Sequence, residues 1–280
     1  MKTRLLTAAI ALPILIAAIV LPVYIAETRW IFVAIAAAAL AAGLFEYFSL
    51  TKKLELKGDA AIAYLVSAAI FVAFVFDAPS VAPDLFLATL AGSVIVLIAT
   101  QTFRFRPDFS KMLTGTGVTL LGIFYITFLG GFIVAMRTGF ESYPGLSTHL
   151  LGYFFLVIMG ADSGAYFAGK AFGKHKLVPA ISPGKTWEGL IGGLFAAGGF
   201  AALATFSFFP ELPFRWSVPL GIAMAAVSVL GDLAESAIKR GSRAKDAADI
   251  LPGHGGLLDR LDSLLFNAPI LYYFGQFYFR

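Results

Sequence analysis

Five acidic residues stand where a carboxylate is costly. Asp162, Asp232 and Glu235 lie within otherwise apolar stretches, and Asp259 and Asp262 open the last such stretch. An ionisable group at membrane depth is expensive and usually faces protein, water or a partner. Asp232, Glu235, Ser236 and Lys239 fall at i, i+3, i+4 and i+7, so a helix carries them on one face. Asp259 and Asp262 are i and i+3 and share a second face. If the two helices are consecutive antiparallel spans, their acidic faces can meet at one end. Carboxylates brought together repel unless something neutralises them. One solution is a hard divalent cation such as magnesium, which takes one or two carboxylates plus waters and substrate phosphates. The other is a set of structural salt bridges with Lys239, Arg240, Lys245 and Arg260. Glu235 or Asp249, taken singly, suits that second solution as well.

The residues between the two acidic faces extend the theme. Lys239, Arg240, Arg243 and Lys245 are interleaved with Asp246 and followed by Pro252-Gly253-His254-Gly255-Gly256. Cations at a membrane surface bind anionic head groups. Cations beside acids suit a polyphosphate, whose charge both must balance. Glycines around a histidine let backbone approach a ligand closely. The lead into Leu257-Leu258-Asp259 offers amides to a phosphate. His254 is either a phosphate donor or a residue tying the loop to its own carbonyls. An earlier segment runs from Gly160-Ala161-Asp162-Ser163-Gly164-Ala165-Tyr166 through Lys174-His175-Lys176 to Ser182-Pro183-Gly184-Lys185-Thr186-Trp187-Glu188-Gly189. Lys185 and Thr186 complete a phosphate or nucleotide site in one reading. In the other they are an ordinary helix start, with Trp187 in the aromatic belt. Glu46 reads as a lone carboxylate snorkelling from a helix end, and the many phenylalanines as lipid-facing.

The elements that must position these groups are membrane helices. Hydrophobic residues make up 59% of the 280 and charged residues 14%, against about 25% charged in a soluble domain. Apolar runs near the 20 residues a span needs predict nine spans, over roughly 5–25, 29–50, 60–78, 84–103, 113–136, 148–169, 187–209, 216–238 and 259–279. The first is too long for a signal-peptide core and is expected to stay as an uncleaved span. Five spans in 1–145 read as structural, lipid and subunit contacts, and four in 146–280 as the catalytic region. With the N-terminus inside, seventeen of the 21 lysines and arginines fall on the inner side and four (Arg29, Arg137, Arg215 and Arg280) outside. That asymmetry predicts a cytoplasmic N-terminus, an outer C-terminus and chemistry on the cytoplasmic face. There is no cysteine, which excludes disulfides and thiolate chemistry, and three histidines make a multi-histidine zinc site a poor fit. A secondary transporter also uses intramembrane carboxylates, but typically at mid-bilayer between inverted repeats. No repeat is visible here. Another membrane transferase acting on a lipid phosphate would look much the same from the residues alone.

The stretch from Ser236 to Asp262 resembles the signature of the CDP-diacylglycerol synthases, or phosphatidate cytidylyltransferases. Ser236, Lys239-Arg240, Lys245-Asp246, His254-Gly255-Gly256 and Asp259-Arg260-Leu261-Asp262 match it, with Ala247 where serine is more usual. The Asp162–Tyr166 and Ser182–Gly189 stretches also look like family motifs, so the resemblance covers about residues 150–275. It implies transfer of a cytidylyl group from CTP to phosphatidate, giving CDP-diacylglycerol and pyrophosphate for phospholipid synthesis. It also implies Mg²⁺, a second cation such as K⁺, a homodimer in the inner membrane, and no nucleic-acid partner. On this resemblance Asp232, Asp259 and Asp262 hold the metal, and Asp246 completes or orients the site. Lys239, Arg240, Lys245 and Arg260 hold the phosphates. Lys185, Thr186, Ser236, His254, Gly255, Gly256 and Asp162 complete substrate binding.

Overall fold

The computed structural model describes residues 2–56, 58–77, 84–105, 109–140, 145–242 and 256–279. Among them the chain runs as successive helical rods: α1 (Lys2–Val20), α2 (Arg29–Lys53), α3 (Ala60–Phe76) and α4 (Asp84–Arg104). Next comes a rod made of α5 (Met112–Gly122), a π-helical turn (Ile123–Phe128) and α6 (Leu129–Thr138). The chain ends with α7 (Leu146–Phe172), α8 (Trp187–Ser207), α9 (Phe214–Gly241) and α10 (Leu258–Tyr278). Each predicted apolar run coincides with one rod to within a few residues. Six of the rods are long and apolar enough to cross a membrane. α10 is not among them: Asp259, Arg260, Asp262, Asn267 and Gln276 interrupt its apolar run, and Asp262, Asn267 and Gln276 are buried in protein.

Two departures from the expected all-helical chain matter. Between α7 and α8 lies a hairpin of β1 (Lys176–Val178) and β2 (Ser182–Thr186), antiparallel, with Lys176 opposite Thr186. And the phenylalanines are not uniformly lipid-facing. Phe74 packs edge-on against Phe86, Phe128 and Phe132 in the interior, while Phe195, Phe206 and Phe277 remain outside. Aromatic edge-to-face pairs add packing energy beyond area, which is why these rings join neighbouring rods.

Packing brings α7, α8, α9 and α10 together. α7 and α8 approach through small residues: a Cβ on Gly164 would lie 2.3 Å from that of Ala196. Small residues permit close approach of membrane helices, whose association gains little from the hydrophobic effect. α9 and α10 are joined by buried polar groups. Asn267 Nδ2 donates to Ser228 Oγ at 2.9 Å, and Ser263 Oγ donates to the Ser228 carbonyl at 3.2 Å. One turn beyond Ser228 is Asp232, and one turn before Ser263 is Asp259. The ladder therefore sets the register of the acidic ends. Gly231 completes the approach, since a Cβ there would lie 2.6 Å from the Asp262 carbonyl oxygen.

The N-terminal rods are fastened at both ends. At one, buried Arg137 of α6 donates to the Ala18 and Ile19 carbonyls at the end of α1, at 2.9 and 2.6 Å. At the other, Asp59 caps α3 by accepting from the Ile62 amide at 3.2 Å and forms an ion pair with Arg104. Gln101 donates to the same carboxylate at 3.2 Å. Burial alone would raise the Asp59 carboxyl above the usual aspartate value. The Ile62 amide, the Arg104 guanidinium and Gln101 outweigh it, and the group titrates below that value.

Candidate active site

A cavity of about 520 Å³ opens where the ends of α7, α9 and α10 meet the β-hairpin and the start of α8. Its wall carries Asp162 and Lys170 from α7, Lys185 and Thr186 from the hairpin, Asp232 from α9, and Asp259, Arg260 and Asp262 from α10. Four carboxylates and three cations thus face one space. Its deeper wall is apolar, with Leu190 and Leu194 of α8 and Ala225 and Val229 of α9.

The acids meet as their helical spacing predicts, but lysines are inserted among them. Lys239 Nζ lies 2.6 Å from Glu235 Oε2 and 2.5 Å from Asp259 Oδ1, linking α9 to α10. Lys185 Nζ lies 2.6 Å from Asp232 Oδ2, linking the hairpin to α9. Ser236 Oγ donates to the other oxygen of Asp232 at 3.3 Å. Asp262 is buried and accepts from the Ser263 amide at 2.5 Å, within electrostatic reach of Asp232, Asp162 and Lys185. Of the two solutions open to the sequence, the structure shows the salt bridges, which take in Glu235, Asp259 and Asp232; Asp162, Asp232, Asp259 and Asp262 line the cavity.

The hairpin holds Lys185 in place. Thr186 caps α8, its hydroxyl accepting from the Gly189 amide at 3.1 Å, as a threonine N-cap does. The His175 Nδ1 meets Glu188 Oε1 at 2.7 Å, and the Trp187 amide donates to the His175 carbonyl at 2.9 Å, closing the base of the hairpin. Arg240 lies outside the cavity wall. Its Nε donates to the Ile181 carbonyl at 3.1 Å, fastening the hairpin turn to the end of α9. Gly256 is buried just ahead of α10. Lys245, Asp246, His254 and Gly255 lie outside the described residues, as do Arg243 and Asp249.

Two participants escaped the sequence reading. Lys170 lies on the cavity wall, its ammonium 5.9 Å from the Tyr166 ring. Asp162, Tyr166 and Lys170 follow one another at i+4 on one helix face, and that spacing could have flagged it. Glu46 is the second. It does not snorkel. Its side chain is wholly buried, and its two oxygens accept from the Leu257 and Leu258 amides at 2.8 and 2.6 Å.

The donor set favours hard, oxygen-seeking ligands. Among the described residues no three acidic or histidine side chains close into a ready-made metal cluster. Carboxylates spread around a cavity with cations between them fit a divalent ion that arrives with phosphates. Magnesium commonly takes just one or two protein carboxylates in that situation.

Comparison with known proteins agrees with this chemistry. The profile described as "Cytidylyltransferase family" matches residues 2–278. The chain belongs to that family. The match extends over the N-terminal rods, beyond the 150–275 stretch that carries the signature. A phosphatidate cytidylyltransferase of Pseudomonas aeruginosa is 32% identical over 275 residues, covering 96% of this chain and 95% of the relative. Those of Haemophilus influenzae and Brucella suis are 47% and 41% identical over 143 and 168 residues, covering 50% and 59% of this chain. The chain spans 48% and 59% of those two relatives' own lengths.

Proposed function

We propose that the protein is a phosphatidate cytidylyltransferase of the inner membrane. A phosphatidate phosphate oxygen attacks the α-phosphorus of CTP, and the bond to the pyrophosphate oxygen breaks. CDP-diacylglycerol forms, and pyrophosphate leaves with the bonding electrons. The observation that carries this reading is the cavity itself, where four carboxylates and three cations meet above an apolar wall. A lipid phosphate needs both kinds of surface.

Lys185, Lys170 and Arg260 are placed to balance the phosphates of the two substrates, drawing Lys185 away from Asp232 as they bind. Lys239 keeps the negative charge of Asp259 tolerable between turnovers and fixes its position. Leu190, Leu194 and Val229 give the lipid's glycerol and first methylenes an apolar wall while its head reaches the acids. Asp232, Asp259 and Asp262 would hold Mg²⁺, which when bound offsets charge on the reacting and leaving oxygens. Such a site works mainly by positioning and electrostatics, as phosphoryl transfer does generally. The excess of lysine and arginine on one side supports a cytoplasmic cavity, where CTP is found. The proposal includes nine spans, a cytoplasmic N-terminus, a second cation such as K⁺ beside Mg²⁺, and a homodimer.

The test is an assay of the detergent-solubilised protein with CTP and phosphatidate. Label from the α-phosphate of CTP is expected in extractable lipid, with one pyrophosphate released per lipid. Chelation should stop it and Mg²⁺ restore it. Label entering lipid equally well from UTP, or no lipid product with CTP, would overturn the assignment.

A further inference from the structure

We propose that Glu46, on α2, is a positioning residue for the acids of α10. The inference rests on the cytidylyltransferase reading of the cavity. α10 begins without a cap from its own N-cap residue, Leu257. The first amides of a helix have no partner within the helix and must find one elsewhere. Here both come from a distant rod: the Leu257 and Leu258 amides donate to separate oxygens of Glu46, which is 0% exposed. A carboxylate at a helix N-terminus also meets the positive end of the helix dipole. One turn earlier on α2, a Cβ added at Gly43 would lie 3.4 Å from Leu261 Cδ1 and 3.9 Å from Leu258 Cδ1, so the two helices run close together there. α2 holds the first turn of α10 by its backbone amides.

Asp259 is the next residue after the second captured amide, and Asp262 lies one turn further on. With two amides held by one carboxylate, the first turn of α10 can neither rotate nor fray without breaking a buried charge-assisted pair. Lys239 reaches Asp259 from α9 and holds its carboxylate, but that contact fixes the side chain and not the backbone beneath it. Glu46 grips the backbone that carries Asp259, and so sets where both aspartates stand in the cavity wall. The N-terminal rods are thereby part of the catalytic arrangement and more than its lipid surround.

The experiment is Glu46→Gln in the full-length protein. Glutamine keeps the shape and one acceptor but turns an NH₂ group toward an amide, so one of the two bonds is lost. The expected result is a fall in kcat of at least tenfold, with KM for CTP and phosphatidate within about twofold. Hydrogen exchange should rise at residues 257–262 and nowhere else. Glu46→Asp, one methylene short, should lose less than Glu46→Gln. Unchanged kcat, or exchange rising throughout the protein, would overturn the proposal. Failure of both variants to fold would overturn it too, making Glu46 a folding tether. The wild-type lipid assay run alongside separates this outcome from failure of the cytidylyltransferase reading, since only the latter removes product in the wild type.

Discussion

Lys239 is the group whose removal has the most calculable effect. It sits between Glu235 and Asp259 at 2.6 and 2.5 Å, and the Glu235 side chain is 1% exposed. Lys239→Met keeps most of the stem volume and deletes the charge. At these separations and an effective dielectric constant of 20, each contact is worth about 6 kcal/mol before desolvation is counted. Desolvation offsets much of that gain, and stripping one partner from a buried pair typically costs about 3–5 kcal/mol. The orphaned carboxylates must then take up a proton or swing apart, and either change disturbs Asp259. Carried into the transition state, the lower figure corresponds to a loss of about 100-fold in rate. The assay is incorporation of labelled CTP into phosphatidate at saturating substrate, with the melting temperature of the detergent-solubilised variant measured in parallel. Activity within threefold of wild type would refute the view that Lys239 holds Asp259 in place.

Other variants probe the elements around the cavity. Gly231→Val should destabilise the protein by about 1–3 kcal/mol through overpacking against α10, seen as a lower melting temperature together with reduced lipid product. Thr186→Val removes the α8 cap, should cost about 1 kcal/mol, and should raise KM for CTP because Lys185 precedes it on the same strand. Arg104→Ala tests the N-terminal rods in acid. Asp59 titrates below the ordinary aspartate value in the folded protein. Its contribution is therefore complete above that ordinary value and disappears as pH falls through the lower folded value. Without the guanidinium that window moves up, so the variant should unfold at higher pH than wild type in an acid titration followed by circular dichroism.

Periodicity and hydropathy are local properties, and they located what is local. The rods follow from apolar runs, and the shared face of Asp232, Ser236 and Lys239 follows from helical spacing. The meeting of that face with Asp259 and Asp262 follows from two antiparallel neighbours. Glu46 was misplaced because its partners lie 211 and 212 residues away, and nothing near it in sequence announces them. The hairpin was missed because its strands are short and Pro183-Gly184 looks like a bare turn, whereas Arg240 and the His175–Glu188 pair hold it from outside. Ser263 and Asn267 of α10 set the register of the acids by bonding to Ser228 of α9, and nothing local in either stretch announces that pairing. The buried phenylalanines were unreadable for a related reason, since composition does not say which rods meet.

The most direct measurement on the central claim is Asp259→Asn, which keeps the size of the side chain and removes its charge. The variant should insert and accumulate as a folded protein, with a lowered melting temperature because Lys239 keeps only Glu235 as a charged partner, yet incorporate no labelled CTP into lipid at any Mg²⁺ concentration. Full incorporation by a correctly folded Asp259→Asn protein would contradict the claim that the facing ends of α9 and α10 carry the chemistry.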